Sequence, residues 1–282
     1  MTPFADSPEW RAFRRDTMAM TGLTLVALVV LAALFADWIA PYPSHAGPVG
    51  DFGAMGAPPS GRFLLGTDTI GRDLFTRLIY AYRLSLEMAI VVLAIATPIG
   101  VVVGLLAGYL GQAWSYGLMR LTDVFLSIPP LVLAMSITGF LEPSAIHGMI
   151  AITAMWWPWY ARLAYNLTRA ERQEGYVVAA EIVGASLPHI LFREILPNCM
   201  PSILTKMTVD VGFVILIASS MSFLGLGAQE PTPDLGSMVA DGAKYMPDAW
   251  WLTVFPAIAI LIVVMGFNLL GDGLREAADV AR

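Results

Sequence analysis

The chain has a single cysteine, Cys199, among 282 residues, which excludes an internal disulfide framework and any cysteine-cluster metal site. Histidine is almost as scarce. His45, His147 and His189 lie far apart, and none has a histidine or glutamate one helical turn away to form a metal pair. No G-x-x-x-x-G-K-[ST] run occurs, so the chain has no loop with which to cradle nucleotide phosphates. No Ser/His/Asp or His/Glu constellation supports a membrane-embedded enzyme. Charge is also sparse. Only 13% of residues are charged and the net charge of −6 is spread along the chain, which removes the electrostatic case for binding nucleic acid.

Apolar residues are what the sequence has in excess. They make up 57% of the chain, against roughly 45–50% in soluble proteins, and the mean hydropathy is +0.68. A soluble core of this size cannot bury so much apolar surface, so the composition indicates an all-α polytopic membrane protein. Crossing the hydrocarbon takes about 20 apolar residues at 1.5 Å per residue. Six stretches qualify: 17–39, 84–110, 116–140, 146–165, 202–226 and 250–270. Pro98 predicts a kink in the second, and Pro129-Pro130 a bend or break in the third. The first run is longer than a signal-peptide core and ends at Ala36-Asp37-Trp38-Ile39, with no small-residue cleavage pattern, so it reads as an uncleaved span.

Arginines orient the bundle. Arg11, Arg14 and Arg15, then Arg162, Arg169, Arg172 and Arg193, then Arg275 and Arg282 fall in the N-tail, the fourth-to-fifth connection and the C-tail. By the positive-inside rule these segments are cytoplasmic, giving an N-in, C-in arrangement. The opposite side holds Arg62, Arg72, Arg77, Arg83 and Lys244. The chain then divides into a cytoplasmic tail (1–16), a first span (17–39), an external loop (40–83) and a five-helix core (84–282). That core includes a cytoplasmic segment at 166–201 and an external Pro-rich segment at 228–249. Loops this long are usually functional.

In the cytoplasmic segment, Tyr176 to Val183 predicts a helix of two turns that stops at Gly184. Ser186 is the next N-cap, Pro188 lies in the following first turn, and Pro197 ends that second short helix. Small residues at Ala179, Ala180, Gly184, Ala185 and Ser186 permit close approach by another chain. The residues alone leave two readings, a docking knob or an amphipathic connection lying on the membrane.

The run Tyr176-Val-x-Ala179-Ala180-x-x-x-Gly184-Ala185-Ser186, followed by Ile195-Leu196-Pro197-Asn198, resembles the EAA loop of ABC-importer permeases. The stretch Leu65-Gly66-Thr67-Asp68-Thr69-Ile70-Gly71-Arg72-Asp73-Leu74 resembles the C-type permease of dipeptide, oligopeptide and nickel importers, as does Arg83-Leu84-Ser85-Leu86. Ser222 to Gly227 and Phe267 to Arg275 are similar to the same family near its end. The resemblance implies a type I importer permease in a bacterial or archaeal cytoplasmic membrane. It also implies that 176–186 couples to a partner ATPase through Tyr176, Val178, Ala179, Ala180, Glu181, Gly184, Ala185 and Ser186. The implied partners are a homologous second permease, two ATPases that hold ATP and Mg, an extracytoplasmic solute-binding protein and membrane lipid. No cofactor is expected on this chain. Val178 stands where the family has the glutamate that names the loop, so Glu181 or Glu174 is the candidate to replace it. Leu235 stands before Gly236 where the family commonly has tryptophan.

A charge near mid-membrane costs about 2.5–3.5 kcal/mol, so each one in a span needs a reason. Asp37, Glu87 and Arg162 are expected near helix ends, where they can snorkel or pair. Arg120 and Asp123, at i, i+3, are expected to pair with each other. Lys206 and Asp210, at i, i+4 on the fifth span, read as an internally neutralised pair or as a polar wall of a translocation path. An ion channel or ion-coupled carrier using these groups is the competing class, although the chain lacks a run of pore-lining acids.

Overall fold

The computed structural model describes residues 8–280; residues 1–7 and 281–282, with the start of the N-tail and Arg282, lie outside the described residues. Helix α1 (Pro8–Arg15) leads into α2 (Thr17–Leu34), whose first turn is capped by Asp16, its Oδ1 accepting from Met18 N–H at 2.8 Å. A short helix α3 (Ala36–Ile39) follows, so the first expected span is broken at Phe35. After the external loop come α4 (Leu74–Tyr109), α5 (Gln112–Leu126) and α6 (Pro130–Thr138). The remainder comprises α7 (Ala145–Glu171), α8 (Gly175–Ile182), α9 (Leu187–His189), α10 (Leu196–Phe223), α11 (Leu235–Ala243) and α12 (Trp251–Val280). Among the described residues there is no strand, only an isolated bridge between Thr67 and Asp73.

Among the described residues, four helical runs are long and apolar enough to cross a membrane: Thr17–Leu34, Leu74–Tyr109, Leu187–Phe223 and Trp251–Ala277. The α5–α6 pair, bent by 83°, makes a fifth if taken as one span. The bend falls where Pro129-Pro130 predicts it, because a proline ring forces its predecessor out of helical geometry. Over the remaining expected span lies α7, which at 27 residues has the length to cross. Its indoles at Trp156, Trp157 and Trp159, with Tyr160 and Arg162, make it less apolar than the others.

Three boundaries differ from the sequence reading. Helix α4 begins at Leu74, ten residues before the expected span, because Asp73 caps it at Thr76 N–H (2.8 Å) and the polar turns around Arg77 and Arg83 are helical. Exposed Glu87 therefore lies well inside a helix rather than near its end, as does Arg162 in α7. Pro197 does not end a short helix. A wide π-type turn over Ile190–Ile195 joins α9 to α10, and Pro197 falls in the first turn of α10, where a missing N–H costs little. Pro98, inside α4, leaves that helix unbroken.

The bundle centres on α4, which packs most extensively on α7 and also on α2 and α10. Three glycines one turn apart set that contact. A Cβ at Gly100 would lie 2.3 Å from the Trp157 carbonyl, one at Gly104 2.4 Å from the Ala161 carbonyl, and one at Gly108 2.6 Å from Thr168 Cβ. Backbones approach this closely only where side chains are absent, and in lipid such packing is a main source of helix association. Beyond α4, Gly111 at φ +96° starts α5. In the Phe267–Arg275 stretch, Gly273 meets Ala19 on α2 and Gly271 meets Val209 on α10, so α12 is wedged between those two helices.

Arg120 and Asp123 do not pair. Asp123 bonds Arg162 of α7 across the α5–α7 contact, while the Arg120 guanidinium lies 5.9 Å from the Tyr116 ring centroid, one turn back. A partner from a neighbouring helix has displaced the local one.

Candidate functional site

Two clusters hold the motif residues, at opposite ends of α4. At its first turn, Gly66, Thr67, Asp68, Gly71, Arg72 and Asp73 form a closed knot. Asp68 Oδ1 accepts from the N–H groups of Ile70 (3.1 Å) and Arg72 (2.8 Å), and its Oδ2 accepts from Arg72 Nε (2.6 Å). Gly71 sits at φ +82°, and a Cβ there would lie 1.8 Å from the Asp51 carbonyl oxygen. Thr67 Oγ1 accepts from Ala57 N–H at 2.8 Å and donates to the Ala54 carbonyl, while its own carbonyl accepts from Trp251 Nε1 at 3.3 Å. The Gly66 carbonyl accepts from Leu74 N–H at 3.0 Å, and Asp73 N–H donates to His45 Nδ1 at 2.9 Å.

The knot is tied to the second external segment through Glu230. Arg72 Nη1 reaches Glu230 Oε2 at 2.6 Å and Arg77 Nη2 reaches Oε1 at 2.9 Å. Arg77 is 1% exposed. Burial alone would lower the Arg72 pKa, but the carboxylates of Glu230 and Asp68 outweigh it and the net direction is upward. Asp234 caps α11, accepting from Ser237 N–H at 3.0 Å, and its burial pushes the carboxyl pKa up. Lys244 bonds Asp241 at 2.8 Å. Of the four acids in this segment, Glu230, Asp234 and Asp241 are therefore engaged within the chain, while Asp248 is exposed. Leu235, at the position where tryptophan is expected, is fully buried against Leu74, Leu78 and Trp251.

At the far end of α4 the geometry is open. Helix α8 lies between α7 and α10, with Val177 buried and Tyr176, Ala180 and Ala185 packed against the core. Gly184 stops it at φ +78°, with open space where a Cβ would stand. Ser186 has the extended backbone of a cap residue but makes no side-chain cap bond. Two tyrosines hold the helix. Tyr109, at the end of α4, donates to Glu181 Oε1 at 2.6 Å, and the Arg172 guanidinium lies 5.1 Å from its ring centroid. Tyr176 donates to Glu171 Oε2 at 2.5 Å and accepts from Asn198 Nδ2 at 3.1 Å, joining α7, α8 and α10. Burial, reinforced by the Glu171 carboxylate, raises the Tyr176 pKa above its ordinary value. Facing outward are Val178, Ala179, Ile182 and Val183, and the last two are each 81% exposed.

The Lys206–Asp210 pair forms as its spacing predicts, at 3.0 Å. Asp210 is 3% exposed and also accepts from Trp156 Nε1 of α7 at 3.0 Å, so its carboxylate pins α10 to α7. The half-buried Lys206 ammonium lies 5.4 Å from the Tyr160 ring centroid.

Sequence reasoning placed Asn198 in the EAA-like stretch without a role, and did not assign Arg77, Tyr109 or Glu230 to these clusters. Each partner is far away in the chain, so no local spacing marks it. The one available signal was Arg77 itself, an arginine amid apolar neighbours.

Residues 100–280 match the family described as binding-protein-dependent transport system inner membrane component. Residues 2–59 match the N-terminal TM domain of oligopeptide transport permease C. The chain is 40% identical over 277 residues to the di/tripeptide transport system permease protein DppC of Pseudomonas aeruginosa, covering 96% of this chain and 90% of that one. It is 40% identical over 262 residues to the probable D,D-dipeptide transport system permease protein DdpC of Escherichia coli, covering 93% and 87%. The fold is similar to that of a chain in an inward-facing structure of the MetNI methionine ABC transporter. There the TM-score is 0.56 at 19% identity, covering 74% of this chain and 96% of that one.

Proposed function

The chain belongs to the family of binding-protein-dependent transport system inner membrane components, and from that membership we propose how its two clusters serve import. It is a multi-pass transport permease of the type I importer fold. In our reading, short peptides are the cargo, as the names of the relatives indicate, which include a glutathione permease of Escherichia coli. That choice sets aside nickel chelates. The chain pairs with a second, homologous permease in the cytoplasmic membrane. Two ATPases supply ATP and Mg chemistry from below, and a solute-binding protein delivers cargo from outside.

One observation carries the coupling role: a short helix, α8, held at its edges by Tyr109 and Tyr176, presents an apolar face that no other described residue covers. ATP-driven closure of the ATPases would displace α8. The two tyrosine nodes then pass the displacement to α4, α7 and α10 as near-rigid bodies, which is the physics of alternating access. The external knot, with 40–83 stapled to 228–249 through Glu230, supplies a fixed surface for the binding protein. The arginines of α1 and of the α7–α8 region support a cytoplasmic position for those segments. Asp210 holds helices together, and Lys206 is the member of that pair available to a path.

The test uses the complete assembly reconstituted in vesicles with labelled dipeptide. Deletion of residues 176–186 is expected to leave the subunit inserted and to abolish ATPase co-purification and uptake. Retention of both ATPases by the deletion variant would end the coupling assignment. In the same vesicles, Lys206→Met with unchanged uptake would remove Lys206 from any path. Uptake driven by a proton gradient without ATPases would favour the carrier class instead.

A further inference from the structure

The middle and end of the outward face of α8 are apolar. Val178 and Ile182 lie one turn apart, Val183 follows, and their exposures are 43%, 81% and 81%. Glu181, the nearest acid on the helix, borders this face and is bonded to Tyr109, on the side where Arg172 stacks. The other nearby acid, exposed Glu174, is the N-cap residue one turn before Val178; it borders the stripe at its start and makes no cap bond. A carboxylate already accepting a 2.6 Å bond from a phenol loses that bond if it swings out to a partner. The three apolar side chains lose nothing by being covered and gain the free energy of leaving water.

We infer that the ATPase groove receiving α8 is lined by apolar side chains where it meets Val178, Ile182 and Val183, and that Glu181 is a positioning residue that fixes α8 to α4 rather than a contact to the partner. This rests on the coupling reading of the previous subsection and adds the chemistry of the partner surface. Selectivity among ATPases then lies in shape and apolar fit. A groove built around a basic residue for an acidic helix would leave that residue buried and unpaired against Val178, which disfavours the wrong partner.

The experiment is co-purification of the ATPases with the tagged permease from the full assembly, at low and at high salt. Burying one such side chain is worth enough that Ile182→Ser and Val183→Ser together should lower the retained ATPase about tenfold or more. Both residues are exposed, so the fold is unaffected and insertion serves as the control. Val178→Glu should also lower retention, and high salt should leave the native assembly intact. Glu181→Gln keeps an acceptor for Tyr109 and should retain the ATPases at the native level. Tyr109→Phe should keep them bound while uncoupling ATP hydrolysis from uptake, an effect that loss of a docking contact would not give. Increased retention by Val178→Glu, loss of retention in Glu181→Gln, or dissociation by salt would each overturn the inference while leaving the coupling role intact. Native retention by the 176–186 deletion would instead remove the coupling role itself.

Discussion

The two ends of α4 are built on opposite principles. At the outer end, each motif side chain that carries a charge is used up inside the chain: Asp68 on Arg72, Asp73 on the helix start, Arg72 and Arg77 on Glu230. At the inner end, α8 is held at its edges by two phenols and leaves its middle bare. A surface whose polar groups are mutually satisfied keeps its shape whether or not a partner is present. A bare apolar helix is complete only when covered. The contrast separates residues that matter for folding from residues that matter for assembly, although both sets sit in family motifs.

Substitutions on each side test that separation. The largest loss of stability is expected from Glu230→Ala, which strips Arg77 of its bonded carboxylate. Asp68 Oδ2, 3.7 Å from Arg77 Nε, then remains as its only carboxylate neighbour among the described residues, so the loss stays below the about 3–5 kcal/mol of a fully unpaired buried charge. It should appear as a lower melting temperature of the detergent-solubilised subunit, with Glu230→Gln intermediate. Asp73→Ala removes the α4 cap and is expected to cost about 1–2 kcal/mol in the same assay. Gly184→Ala meets no neighbouring atom, so only backbone strain of about 1 kcal/mol applies. Its melting curve should barely shift while ATPase stimulation falls, because the end of α8 is re-aimed. Ile182→Ser should change stability by less than about 0.5 kcal/mol and yet impair uptake. If Ile182→Ser unfolded the subunit while Glu230→Ala left it intact, the division between the two ends would be reversed.

Much of this architecture is written locally. Apolar runs located the helices, Pro129-Pro130 marked the elbow, and Gly184 marked the end of α8 because only its left-handed backbone stops the helix there. Contacts between distant segments were not written locally. Helix α4 extends ten residues beyond its apolar run, since a capped helix continues outside the bilayer without needing hydrophobicity. Pro197 reads as a stop, yet the preceding wide turn admits it. Helix α11 was hidden by the prolines around it, and Asp234 as its cap is recognisable only in retrospect. Asp123 has an arginine one turn away and bonds a different one, because α7 brings Arg162 closer. Glu181 was a candidate to replace an absent acid, and its phenolic partner lies 72 residues away in the chain.

The glycine seam between α4 and α7 also limits how this subunit can work. Two carbonyls and the Thr168 side chain lie where three methyl groups would otherwise stand, so the helices are in backbone contact along three turns and move as one plank. Any passage that opens and shuts must therefore do so at the plank's margins. The sharp elbow between α5 and α6, reached through Gly111, forms one such margin.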